Sequence, residues 1–382
     1  MIELNKNNVE RRGKMRESCR VYTKVLLLLV LSCFLLFLYG CSKGEGKETI
    51  NEPVGAETDN GEDIVEEPEV EEEVVTKVKS PLTGIYIDEE KINDRVIAVM
   101  LDNQYSARPQ AGITQCDIVY EILAEGNITR YMGIIGTGQP ENIGPVRSSR
   151  DYFIHRALEY DALYVHVGGS PQAYEAISEL KVPSVDAMHQ GGDVFWRKKH
   201  KSAPHNMYSS FEAIIKGAER KNYRAEGKYD LLKFSENETA LQGEDLIYIE
   251  FPYNGKSYYS SYKFNEDEKV YYRYINGSVQ KDENGDIPVT AKNIIVQFTK
   301  TRAIKGDTEG RLAVDMVGEG EGWYISNGKC QKLKWKKEDI YKLTKYYDES
   351  GEEIILNPGN IWIQVYPENR KDEIVMKSSL AN

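Results

Sequence analysis

The sequence predicts an α+β protein, with an α/β N-terminal domain followed by a mainly antiparallel β C-terminal domain. Two patterns carry this reading. Between residues 81 and 235, continuous apolar runs alternate with segments of helical spacing; from residue 244 to 382, short Tyr-rich runs alternate with polar residues and are punctuated by Asn-Gly pairs. A third feature, a basic stretch leading into an apolar segment that ends at Cys41, sets both domains apart from an N-terminal leader.

In residues 1–40, Arg11, Arg12, Lys14, Arg16, Arg20 and Lys24 precede the apolar run Val25 to Leu38, which is short for a span of about 20 residues. A small residue, Gly40, directly precedes Cys41, the pattern of a lipoprotein signal peptide acylated at that cysteine. Tyr39 departs from the usual small or β-branched residue, so an uncleaved membrane anchor is the alternative. Residues 41–80 read as an acidic disordered tether. They hold thirteen acidic against four basic side chains and no aromatic, so they cannot bury enough apolar surface to offset the entropy of ordering. Fully stretched, such a tether reaches roughly 130 Å. The chain beyond it is therefore expected to be extracytoplasmic, held to the outer face of the cell membrane by lipid on Cys41.

In the first domain, Val96 to Leu101, Ile118 to Leu123, Tyr131 to Ile135 and Ala162 to Val167 read as buried strands, with Glu125-Gly126-Asn127 as a hairpin turn. Asp151 to Tyr160 and Pro171 to Leu180 have helical spacing, the second capped by Ser170. In the second domain the runs Ser257 to Phe264, Val270 to Ile275 and Asn293 to Phe298 are separated by Asn276-Gly277, Asn284-Gly285 and Asn327-Gly328, which predicts antiparallel strands with one wet face.

Charge excludes one class of function. The net charge of −12 includes seven basic and three acidic residues in 1–40, so the remainder carries −16, and a nucleic-acid partner is not expected. Only Cys116 and Cys330 lie beyond Cys41, far apart in sequence. One disulfide between them is conceivable, but two free buried thiols are the preferred reading.

The candidate site residues concentrate in the first domain. Arg108, Arg130, Arg147 and Arg150 sit at strand ends or helix starts, with Ser148 and Ser149 between the last two and Gly168, Gly169 and Ser170 at the next strand-to-helix junction. Strand ends converge on one rim of an α/β sheet, where guanidinium forks and free amides suit phosphate or carboxylate. The pattern predicts an Arg-lined cleft for an anionic ligand. The opposing reading is that these arginines pair with Asp102, Glu121 or Glu125, which would make the region a structural interaction module. His166 and His205 are candidate catalytic bases and Ser148, Ser149 or Ser170 candidate nucleophiles, but no spacing marks a Ser-His-Asp set. Without an HExxH or comparable motif, neither a metal nor a cofactor is predicted.

The order Val99-Met100-Leu101-Asp102-Asn103, Arg108-Pro109-Gln110, Asp117 to Glu121, Gly144-Pro145-Val146-Arg147-Ser148-Ser149-Arg150, Val165-His166-Val167-Gly168-Gly169-Ser170 and Pro204-His205-Asn206 resembles the YerB-like lipoproteins of Gram-positive bacteria. Gly318-Glu319-Gly320-Glu321-Gly322, Gly328-Lys329, Trp335 and Gly359-Asn360-Ile361-Trp362-Ile363 resemble that family's C-terminal domain. The resemblance implies a two-domain, membrane-anchored envelope protein of unassigned activity. Where the family pattern has His-x-Asp after the Tyr-Arg strand, this chain reads Gln280-Lys281-Asp282. Asp117, Arg130, Arg147, Arg150 and Gly168-Gly169 also follow an order similar to LytR-type envelope transferases. That likeness implies phosphoryl or glycosyl-phosphate transfer as an alternative to simple binding of a phosphorylated or uronic glycan or a lipid-linked precursor. A protein partner for the C-terminal domain is a further expectation.

Overall fold

The computed structural model describes residues 76–228, 230, 232–255 and 257–379. The leader, Cys41 and the tether up to residue 75 lie outside the described residues.

The N-terminal part contributes strands β1 (Ile97–Leu101), β2 (Ile118–Leu123), β3 (Thr129–Ile135), β4 (Leu163–His166) and β5 (Ser184–Asp186), with helices α1 (Asp151–Leu158), α2 (Pro171–Glu179) and α3 (Phe211–Glu219). The C-terminal part is mainly antiparallel: β6 (Tyr248–Asn254), β7 (Tyr258–Asn265), β8 (Val270–Ile275), β9 (Asn293–Thr299), β10 (Gly318–Ser326), β11 (Lys329–Lys337) and β12 (Ile361–Pro367). Local sequence explains the boundaries. Ser170 Oγ accepts from Ala173 N at 3.1 Å and Pro171 opens α2, as its cap and first-turn proline require. Asn327 and Gly328 both take positive φ, 49° and 74°, and form the tight turn between β10 and β11.

Strands from the two parts share one 11-stranded mixed sheet, with β11, β10, β9, β12, β2, β3, β1, β4 and β5 in spatial order. The junction is a parallel pairing of β12 with β2, from Ile361 opposite Ile118 to Val365 opposite Ile122. A second, six-stranded antiparallel sheet is built on β8, β7 and β6. Side-chain alternation places Ile97, Val99 and Leu101 in the core shared with that second sheet, and Ala98 and Met100 in the core covered by α1 through Tyr152, Phe153 and Ile154.

Two details differ from the sequence reading, while a third, the pair of free buried thiols, agrees with it. Lys77–Lys79 pairs antiparallel with Tyr86–Asp88, and Lys79 Nζ reaches Glu236 at 2.6 Å, so ordered structure extends into the segment read as tether. β9 has no wet face: all seven of its residues are buried, because β10 and β12 flank it and both sheet faces are covered. Cys116 and Cys330 are free and buried, and burial pushes their thiols up, that of Cys330 to about 12.

Two fully buried ion-pair networks cross from one part to the other. Glu121 on β2 receives Arg273 Nη2 of β8 at 2.5 Å and Gln364 Nε2 of β12 at 2.7 Å on one oxygen. Thr129 Oγ1 at 2.7 Å and Tyr258 OH at 2.5 Å donate to the other. The Arg273 guanidinium lies 4.4 Å from the Trp362 ring centroid and also faces Tyr131 and Tyr262. Burial disfavours the Glu121 carboxylate, but Arg273 and the three hydrogen-bond donors outweigh it and hold its pKa below the usual range. Glu159, just after α1, accepts from Lys337 Nζ at 2.9 Å, Thr344 N at 2.9 Å and Tyr120 OH at 2.7 Å. Burial is again outweighed there, by Lys337 and Arg156, and the pKa falls to about 2.

Glu121→Gln is expected to cost about 3–5 kcal/mol, because it leaves Arg273 charged and buried without a counter-ion. The double variant Glu121→Gln with Arg273→Met should recover part of that loss in urea unfolding. The acid limb follows from the same two carboxylates. Both folded pKa values lie below the usual glutamate value of about 4.5, so their contribution is complete above about pH 4.5 and is lost as pH falls through the folded values, that of Glu159 at about 2. Urea midpoints measured between pH 6 and pH 2 should therefore be nearly level above pH 5 and fall below pH 4.5.

Candidate functional site

The arginines of the N-terminal part do not share one cleft. Arg130, Arg147 and Arg150 line a cavity of about 280 Å³ together with Arg311, while Arg108 lines a different cavity of about 1080 Å³. The smaller cavity is nearly charge-balanced. Glu125, on the turn between β2 and β3, accepts from Arg130 Nη2 at 3.0 Å and also from Arg150 Nε. Burial opposes its ionisation, but those two guanidinium groups hold its carboxyl below the usual range. Arg147 Nε lies 3.3 Å from Asp102, and Arg311 Nη1 lies 2.7 Å from Asp307. Arg130 Nη1 also donates to Ser148 O and Arg150 Nη1 to Ser149 O. The hairpin explains this outcome: Glu125 stands five residues before Arg130, and the turn returns the chain so that both reach the same rim.

The other predicted residues of this region are engaged internally. Ser149 Oγ hydrogen-bonds Tyr164 OH at 2.8 Å, and Gly168 N donates to Asp186 Oδ1 at 2.9 Å. Gly168 needs its positive φ of 65° to make that turn, Gly169 packs against Ser149, and Ser170 caps α2. His166 is fully buried. Its ring nitrogens contact Gly168 O and Ser184 Oγ, each at 2.8 Å, which leaves no route to a substrate.

The larger cavity lies between the two parts of the chain. Arg108, Gln110, Lys201 and His205 line it from one side, and Gln280, Lys281 and Glu283 from the other. Asp102 ends β1 and fixes the following turn by accepting Gln104 N at 3.0 Å on Oδ1. Its Oδ2 accepts His205 Nδ1–H at 2.7 Å and also faces Arg147. The loop carrying His205 is pinned by Asn206, whose Nδ2 donates to Lys198 O at 3.0 Å and Lys201 O at 3.1 Å. The Pro204-His205-Asn206 motif thus supplies both the imidazole and the residue that holds its loop. No protein partner reaches His205 Nε2 among the described residues.

Arg108 differs from the other three arginines in its partners. Its Nη2 donates to Asn103 O at 2.7 Å, its Nε to the same oxygen at 3.0 Å, and its guanidinium lies 5.0 Å from the Tyr258 ring centroid. No carboxylate pairs with it among the described residues, so it keeps a full positive charge at the cavity. Opposite stands Glu283, which accepts Lys201 Nζ at 2.6 Å, Tyr208 OH at 2.6 Å and Lys198 Nζ at 3.1 Å. Burial raises its pKa, but these donors more than compensate and lower it to about 2. His200 Nε2 lies 3.3 Å from the same carboxylate.

Sequence reasoning missed the C-terminal contribution. Gln280 Nε2 donates to Gln110 Oε1 at 2.9 Å, its Oε1 accepts from Arg273, and Asp282 caps the backbone of Gly112 at 3.0 Å and Thr114 at 2.9 Å. The Gln280-Lys281-Asp282 segment is therefore the seam between the parts. Its only sequence signal was the departure from the family pattern. Among the described residues, no group of three or more His, Cys, Asp and Glu side chains is arranged to hold a metal ion. No helix there is long and apolar enough to cross a membrane.

The fold thus defines a two-domain α+β protein, with an N-terminal mixed sheet bearing few helices and a mainly antiparallel C-terminal part, built around a cleft between them. Residues 82–224 match the N-terminal domain, and residues 249–363 the C-terminal domain, of a family described as protein of unknown function (DUF3048). The chain belongs to that family. It is 30% identical over 293 residues to "Putative lipoprotein YerB" of Bacillus subtilis (strain 168), across 76% of this chain and 87% of the relative. The crystal structure of the YerB protein from Bacillus subtilis superposes with a TM-score of 0.72 at 30% identity, covering 79% of this chain and 100% of that one.

Glu125→Gln should cost about 2 kcal/mol in urea unfolding, because it leaves Arg130 and Arg150 facing each other without their shared carboxylate.

Proposed function

We propose that this chain is a lipoprotein of the cell envelope, acylated at Cys41 and held outside the membrane, that binds an anionic envelope ligand in the larger cavity. The ligand class is a phosphorylated or uronic glycan or a lipid-linked precursor. One observation carries the binding reading: Arg108 brings an uncompensated guanidinium to a cavity of about 1080 Å³, whereas the arginines of the smaller cavity are neutralised by Glu125, Asp102 and Asp307. The volume suits a sugar phosphate or a short oligosaccharide. The envelope setting is supported by the Cys41 leader and by the name that the Bacillus relative carries. The Arg130, Arg147 and Arg150 cluster is assigned a structural role, that of fixing the rim on which Asp102 sits.

The test is titration of inorganic pyrophosphate and of phosphate-bearing wall fragments into the full chain. Arg108→Gln should weaken binding at least about tenfold, the loss of one charge-assisted contact, with the melting temperature lowered by only a few degrees. Arg150→Gln should leave binding unchanged and lower stability instead. If Arg150→Gln abolishes binding and Arg108→Gln does not, the ligand belongs in the smaller cavity. For the anchor, Cys41→Ala should move the protein from the detergent phase to the aqueous phase, and unchanged partitioning excludes acylation at Cys41.

A further inference from the structure

We infer that the larger cavity is the active site of a phosphodiester hydrolase, with His205 as general base and His200 as general acid. This deepens the anion-binding reading of the same cavity and depends on it. Both histidines line that cavity. Each is held by a carboxylate at one ring nitrogen: His205 Nδ1 by Asp102 at 2.7 Å, and His200 Nε2 by Glu283 at 3.3 Å. The opposite nitrogens, His205 Nε2 and His200 Nδ1, have no protein partner among the described residues.

The two carboxylates are differently built, and the difference assigns the roles. Asp102 is almost completely buried and is clamped by Gln104 N, His205 and Arg147, so it fixes the tautomer that leaves a lone pair on His205 Nε2. His205 is itself only 16% exposed, and its loop is stitched down by Asn206. This is the arrangement of an oriented general base. His200 is half exposed, and its Nε2 lies against Glu283, whose carboxylate Lys201, Tyr208 and Lys198 hold ionised, so the ring is oriented with Nδ1 toward a leaving group to which it can hand a proton.

The charge count narrows the substrate. Lys201 is neutralised by Glu283 and Lys281 by Asp286, which leaves Arg108 as the cation without a carboxylate partner among the lining residues described. That guanidinium is free to pair with the phosphate oxygens of a diester. A carboxylic ester handled by a Ser-His pair would need a hydroxyl hydrogen-bonded to His205 Nε2, and no such contact exists among the described residues.

The step is a hydrolysis. His205 Nε2 takes a proton from water, and the water oxygen bonds to phosphorus. The bond from phosphorus to the leaving alkoxide oxygen breaks, and that oxygen takes the proton held by His200. The products are a phosphomonoester and an alcohol. Proton return from His205 to His200 through solvent resets the site, and nothing is oxidised or reduced. Arg108 is placed to hold the non-bridging oxygens as charge develops on them.

The experiment uses the full chain in detergent with bis(4-nitrophenyl) phosphate in the presence of EDTA, and inorganic pyrophosphate as the binding probe. The wild type should release 4-nitrophenol, and His205→Gln should lower kcat by about 100-fold or more while pyrophosphate still binds. Asp102→Asn, a positioning change, should lower kcat at least about tenfold with KM and pyrophosphate binding little altered. A folded His200→Gln variant should slow 4-nitrophenol release from bis(4-nitrophenyl) phosphate less than alcohol release from a dialkyl phosphate, because only the alkoxide leaving group needs an acid. No release by a wild-type protein that binds pyrophosphate overturns the hydrolase and leaves the binding reading intact. Turnover that EDTA abolishes, or that His205→Gln leaves unchanged, also overturns it. A wild type that neither binds pyrophosphate nor releases product removes both readings.

Discussion

The buried pair between Glu121 and Arg273 is the constraint on which the rest of the molecule is arranged. Neither charge has any exposed surface, so each would carry a large desolvation penalty alone, and together they need every remaining donor and acceptor around them to be satisfied. That requirement recruits Thr129, Tyr258, Gln280 and Gln364 from four separate segments and packs Tyr131, Tyr262 and Trp362 against the guanidinium. A carboxylate at the middle of β2 thereby fixes the register of β12 beside it and the position of the β8 strand above it. The two family domains are joined as one sheet because the charge of one is answered in the other.

Asp102 plays the corresponding part at the edge. One oxygen closes the turn after β1, and the other stands between Arg147 of the smaller cavity and His205 of the larger. The arginine cluster and the imidazole are therefore linked through one carboxylate, although they face different spaces. The smaller cavity spends its positive charge on holding this rim, while the larger keeps the charge of Arg108. Pairing with a carboxylate separates the two uses of the same residue type, since a guanidinium already bound to an acid has little left to offer an anion.

Much of the secondary structure was legible. β2, β8, α2 with its Ser170 cap, and the Asn327-Gly328 turn all follow from periodicity and turn chemistry, which act over a few residues. The buried character of β9 was not, because its run Asn293 to Thr299 contains polar residues that only the flanking strands bury. Among the site candidates, the arginines and His205 were visible as residue types at strand ends and loops. Their sorting into paired and unpaired was not, because Glu125 and Asp102 become partners only when the hairpin folds back and when the 198–206 loop packs on β1.

By itself the sequence determined the α+β class, the order of most elements and the residues able to carry charge or accept a proton. Tertiary structure alone decided that the two halves share one sheet, that Gln280 and Glu283 complete a cavity begun by Arg108 and His205, and that His166 is a core residue. The physical reason is range. Propensity and capping are settled within a turn or a strand, whereas neutralisation of a charge depends on which distant side chain burial brings within about 3 Å.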